Sequence, residues 1–215
     1  MGEHNIQQMI AHRVEIQPLL FAALVLLLCL TVGGALATTP RLDGWMLEPD
    51  VDTPSYAVTQ PVSTNLNIDT IVLVCEEGAS SRIVQLQLYL SDERQLAPNG
   101  MAMSVLKPDP RVEIVIDGRT FPAKLYFADE YALVADSERK RFPMLSESLL
   151  DAMASGHTMT LRFDLVAEAQ GHPPAFDGEA VVDLQAGRGG QAVNAVRRCA
   201  TPAVDHFVGI ARAGD

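Results

Sequence analysis

Arg82 to Leu90 alternates cleanly, with Val84, Leu86, Leu88 and Leu90 on one face and Gln85 and Gln87 on the other. A period of two marks a half-buried strand. Thr158 to Val166 repeats the pattern through Met159, Leu161, Phe163 and Leu165. Ile68 to Cys75 is apolar and β-branched, and Val112 to Ile116 is a shorter run of the same kind. Asp117-Gly118 follows that run. This dipeptide favours two-residue hairpin turns, because both positions need positive φ, so Thr120 to Phe127 is predicted to return as the partner strand. Tyr131–Ala135 and Gly178–Leu184 read as further strands. Glu76–Ser81 reads as a hairpin-like connection and Ser91–Pro110 as a loop rich in turn formers.

The period changes after Pro143. Leu145, Leu149, Leu150 and Met153 share one helical face, which predicts a short helix over 146–156 with Gly156 as its C-cap. A last helix is predicted over 190–198. Upstream, residues 38–65 carry Pro40, Pro49, Pro54 and Pro61 and read as an extended arm, with Trp45 packing it onto the domain. Residues 66–199 then form a β-rich domain and 200–215 a flexible tail. Strands first, then helix, strands and helix predict a mostly β fold: an antiparallel β-sandwich-like domain with one or two short peripheral helices. A β-rich α+β domain is the alternative.

Before all of this, Pro18 to Ala37 contains no charged residue. Its apolar core, Leu19–Leu30, has the length of a signal-peptide core, and Ala35-Leu36-Ala37 has the small residues that a signal peptidase accepts. Cleavage is expected between Ala37 and Thr38. The other reading of 1–37 is an uncleaved anchor, since about 20 apolar residues just span a bilayer core. Cys29 follows Leu28 rather than a small residue, which argues against a lipoprotein signal. Either way the domain is expected outside the cytoplasm: periplasmic or secreted if cleaved, held at the inner membrane and facing the periplasm if not.

Charge narrows the partners. The chain carries a formal −11, of which the leader's one Arg and two Glu account for only −1. So acidic a domain repels nucleic acid and anionic lipid, leaving membrane contact only through the N-terminal segment. Beyond Cys29, Cys75 and Cys199 form one even pair, which in an exported chain is read as a disulfide between the first core strand and the last helix, with two buried thiols as the alternative.

Catalytic signals are thin. No nucleophile elbow or phosphate-binding loop occurs. His157, His172 and His206 have no metal-ligand spacing and read as turn or tail residues. Asp109 and Asp117 flank a strand, and Asp164, Asp177 and Asp183 lie near one another in sequence. Asp164 and Asp177 would serve acid–base chemistry only if they shared a cleft within about 5–10 Å. Gly187-Arg188-Gly189-Gly190 could hold an anion at a helix N-terminus or simply serve a turn. Arg139-Lys140-Arg141, followed by Phe142 and Pro143, is the one basic run in an acidic chain. It is read as a contact for an acidic partner or as a solvated turn. No catalytic residue, cofactor or metal is assigned.

The signal segment, the strand ending Ile116-Asp117, the stretch Leu149-Leu150-Asp151-Ala152-Met153-Ala154-Ser155-Gly156, Leu161-Arg162-Phe163-Asp164-Leu165 and the helix around Ala192–Val196 together resemble the invasion-associated locus B family of alphaproteobacterial envelope proteins. The resemblance covers about half the chain. That family usually has more cysteines and a Gly-Phe step before its last helix, both missing here. The resemblance implies a small β-sandwich, no known catalysis and a role at the envelope or host surface, and it carries no site residues across. The expected function is thus an exported, non-enzymatic envelope protein that binds a protein partner. The alternatives are an envelope enzyme or enzyme inhibitor acting on cell-wall or glycan substrates, and a membrane-anchored assembly factor.

Overall fold

The computed structural model describes residues 41–78, 81–91, 95–102, 105–128, 130–168 and 173–200. The leader with its Ala37–Thr38 cleavage site, His172, His206 and the tail beyond residue 200 lie outside the described residues. The chain is mostly β. Its strands are β1 (Met46–Leu47), β2 (Tyr56–Thr59), β3 (Ser63–Thr64), β4 (Ile68–Glu77), β5 (Arg82–Leu90), β6 (Leu106–Ile116), β7 (Arg119–Phe127), β8 (Tyr131–Ala135), β9 (Ser137–Arg139), β10 (Phe142–Met144), β11 (Thr158–Val166) and β12 (Gly178–Asp183). The helices are α1 (Glu147–Ser155) and α2 (Gly189–Ala200), the latter preceded by a 3-10 turn at Ala186–Arg188.

Ten strands form one curled antiparallel sheet in the order β1-β2-β4-β5-β8-β7-β6-β11-β12-β3. The curl turns on β7. Its first half pairs with β6, ending at Ala123 opposite Val112, and its second half pairs with β8, starting at Lys124 opposite Ala135. The chain runs from β2, next to the β1 edge, through residues 60–62 into β3 at the other edge, where Val62 N donates to Val181 O of β12 at 2.8 Å.

The inward faces of both halves share one core. Ile71, Leu73, Leu86 and Leu88 from one half join Ile114, Leu161, Phe163 and Val182 from the other. α2 lies against β1, β2, β4 and β5 and packs on α1. Val193 and Val196 of α2, and Leu149 and Met153 of α1, are fully buried in the same core. Cys75 on β4 and Cys199 on α2 are joined in a disulfide with Cα atoms 6.2 Å apart. The bridge closes 124 residues, for which loop entropy gives about 4–5 kcal/mol.

Several expectations change. The arm over 38–65 is not only a surface crossing, because β1, β2 and β3 come from it and form the sheet's two ends. Tertiary pairing overrode its prolines, and Trp45 is 3% exposed, as an anchor should be. The indole Nε1 has no hydrogen-bond partner among the described residues. The loop expected over 91–110 gives its last part to β6, where Leu106 pairs with Val166 across a register shift. Pro108 and Pro110 fit extended backbone and lose only donors that this strand does not need. Gly156 does cap α1, its N–H donating to Ala152 O, but with φ −76 rather than a left-handed turn. Its missing Cβ answers a different need, since one would stand 2.5 Å from Ile116 Cγ2.

Candidate functional site

The basic run Arg139-Lys140-Arg141 forms the tip of a hairpin that sequence periodicity did not reveal. Arg139 pairs with Phe142, so Lys140 and Arg141 alone make the turn. Their φ values are +50° and +72°. Two positive values in a two-residue loop define the turn whose twist suits a hairpin, normally supplied by Asn and Gly. Neither Lys nor Arg favours that region, and each is held there at a cost of about 1–2 kcal/mol.

The hairpin is held at its base. Asp136 precedes it and Ser146 follows it, and Asp136 Oδ1 accepts from Ser146 N at 2.7 Å while Oδ2 accepts from Ser146 Oγ. Ser146 Oγ in turn accepts from Leu149 N at 3.2 Å and caps α1. One carboxylate thus ties both hairpin legs to a helix start. Leu145 N donates to Val84 O at 2.8 Å, and Gln85 Nε2 donates to Pro143 O at 2.8 Å.

These contacts explain another correction. Gln85 and Gln87 were expected on a solvated face, yet they are 7% and 3% exposed. β10 lies across β5 and β8 and covers that face. Gln85 turns this burial to use as a donor to the hairpin backbone. Arg139, Lys140, Arg141 and Phe142 remain exposed at the tip, and Arg139 Nη1 donates to Ser81 Oγ at 3.0 Å. None of the three cations pairs with a carboxylate among the described residues.

The carboxylates proposed for acid–base work are engaged otherwise. Asp164 is 3% exposed and pairs with Lys107, which also holds Glu168. Arg111 Nε stands 3.9 Å from its second oxygen. Asp177 accepts from Leu165 N at 3.1 Å and Val166 N at 2.8 Å, one amide on each oxygen. These amides sit at the register shift of β11, where the ladder to β6 slips. Asp177 therefore satisfies donors that the irregularity exposes. The same face stacks Phe176 between Arg111 and Arg162, each guanidinium 4.2 Å from the ring centre. Lys107 holds the Glu168 carboxyl below its ordinary range.

The other acids serve turns. Asp183 accepts from Gln185 N and Ala186 N and starts the 3-10 turn. Asp117 occupies the predicted Asp117-Gly118 turn, with φ +47° and +85°. Its carboxylate accepts from Thr158 N at 3.0 Å and His157 N at 2.9 Å, and these two bonds, Thr158 first, hold it below the ordinary value of 3.8. His157 is a surface turn residue, its Nδ1 3.2 Å from the same carboxylate. Asp109 is exposed on β6. The glycines at 187–190 serve packing: a Cβ on Gly187 would stand 2.5 Å from the Trp45 backbone, and one on Gly190 2.3 Å from Ala154 O.

Among the described residues, no group of three His, Cys, Asp or Glu could hold a metal ion, and no helix is long and apolar enough to cross a membrane. Comparison with protein-family models, with curated proteins and with solved structures finds no match.

Proposed function

We propose that this is an exported, non-enzymatic binding domain of the cell envelope that docks an acidic protein partner through the Arg139–Phe142 hairpin tip. The observation that carries this reading is the turn itself. Lys140 and Arg141 are held at positive φ, exposed and without carboxylate partners among the described residues, on a hairpin clamped by Asp136–Ser146 and Gln85–Pro143. Strain kept at a rigid exposed tip favours a role for the side chains it presents. Arg and an exposed aromatic are the residue types enriched at binding hot spots. A cationic tip on a −11 chain also orients an acidic partner during encounter. The Cys75–Cys199 bridge supports an oxidising compartment, and with it export. The resemblance to the invasion-associated locus B family implies the same kind of role.

The test is site-specific photo-crosslinking from position 142 in the cells that make the protein. A discrete cross-linked species that disappears in the K140N/R141G variant is expected. Equal cross-linking in that variant, or none above a distant exposed control such as position 62, contradicts the reading.

A further inference from the structure

A cavity of about 360 Å³ opens behind the basic hairpin, where the start of β5, the hairpin, α1 and the end of α2 converge. Ile83, Val84, Leu145 and Leu150 form its apolar floor, and all four are buried. Three arginines, Arg82, Arg139 and Arg197, and one carboxylate, Glu147, stand around it. Arg197 is engaged by Asp151, at 2.6 Å, and by Glu147. Arg82 donates to Cys199 Sγ at 2.9 Å and Arg139 to Ser81 Oγ at 3.0 Å, and neither pairs with a carboxylate among the described residues. The wall thus combines apolar contact with two guanidinium groups able to receive an anion.

We propose that this cavity receives an acidic–apolar peptide segment of the docked partner, with a leucine-sized side chain on the floor and a neighbouring carboxylate between Arg82 and Arg139. The proposal rests on the docking reading above and names what the partner must present. The volume lies at the small end of ligand cavities, enough for one or two side chains and too small for a folded element. Charge complementarity selects the acid: elsewhere the −11 chain repels a carboxylate, whereas Lys140 and Arg141 add two more cations on the same hairpin. A purely acidic segment would leave the floor wet, and a purely apolar one would leave the guanidinium groups unanswered.

Three fluorescein-labelled hexapeptides are titrated against the full, oxidised chain at low salt by anisotropy: alternating Glu-Leu, alternating Gln-Leu and alternating Glu-Gly. The Glu-Leu peptide is expected to bind about tenfold more tightly than either of the others. Arg82→Gln should weaken it about tenfold. Ala200→Trp, which adds bulk at the cavity wall, should remove the advantage of Glu-Leu over Glu-Gly. Equal affinity for Glu-Leu and Glu-Gly, unchanged by Ala200→Trp, overturns the cavity proposal. The docking reading survives that result if K140N/R141G still weakens both peptides. Failure of all three peptides to bind overturns both.

Discussion

Two hairpins in this chain use the same two-residue turn with opposite chemistry. Asp117-Gly118 joins β6 to β7, and Lys140-Arg141 joins β9 to β10. In both turns both residues have positive φ. Asp and Gly occupy that region readily, and the Asp117 carboxylate also accepts from the amides of His157 and Thr158 where β11 begins. Lys140 and Arg141 occupy it against their preference, and their side chains form no hydrogen bond or ion pair among the described residues. A turn that serves the fold is built from residues that favour it. A turn that keeps disfavoured residues at an exposed tip points to a demand from outside the domain.

The largest effect expected sharpens this comparison by lowering the background. Replacing Cys75 and Cys199 together with Ala should remove about 4–5 kcal/mol, read as a fall in the urea midpoint. In that background a small gain or loss at either turn becomes easy to measure. The next effect tests whether the second hairpin is held as described. Gln85→Leu leaves Pro143 O without its side-chain donor and should cost about 1–3 kcal/mol, together with faster hydrogen exchange across residues 137–144. Unchanged exchange there would mean that the glutamine does not anchor the hairpin.

The turns themselves come next. Replacing Lys140-Arg141 with Asn-Gly should raise stability by about 1–3 kcal/mol, because it relieves two strained residues. Gln-Gln at the same positions keeps the strain, removes the charge and should leave stability nearly unchanged. The smallest effect concerns pH. The folded Asp117 carboxyl lies below its ordinary value of 3.8, so its contribution is fully present above that value and is lost as the pH falls through the lower folded one. Asp117→Asn preserves the turn preference and isolates the charge. Its deficit against the native chain should be widest at neutral pH and should close in strong acid; a deficit constant with pH would contradict the assignment.

Which parts of the molecule were legible in the sequence follows from the same contrast. β5 and β11 announce themselves through unbroken alternation, and Asp117-Gly118 announces its hairpin through residue preference. α1 is legible because Ser146 and Gly156 bracket an apolar face. By contrast, β9 and β10 are three residues each, too short for a period, and their turn carries none of the usual residues. β1 and β3, two residues each, are strands only because the curled sheet offers them a neighbour. Gln85 and Gln87 misled for the same reason: polar residues on alternate positions imply solvent unless a later segment covers them, and that segment was the unseen hairpin. The basic run was visible as charge, while its rigidity and the cavity behind it exist only in the folded chain. The pairing of Cys75 with Cys199 followed from counting; the engagement of Asp164 and Asp177 did not, because Asp164 meets Lys107 from another strand and Asp177 serves amides at a register shift in β11.

The central claim is that Lys140 and Arg141 are kept in a strained turn for what they contact rather than for the fold. Its most direct measurement compares the native chain with the Asn-Gly and Gln-Gln variants K140N/R141G and K140Q/R141Q, taking thermal midpoint and position-142 cross-linking on the same preparations. The account predicts a higher midpoint for K140N/R141G, a nearly unchanged one for K140Q/R141Q, and loss of the cross-linked species in both. A lower midpoint for K140N/R141G, or cross-linking that persists without the two cations, would contradict it.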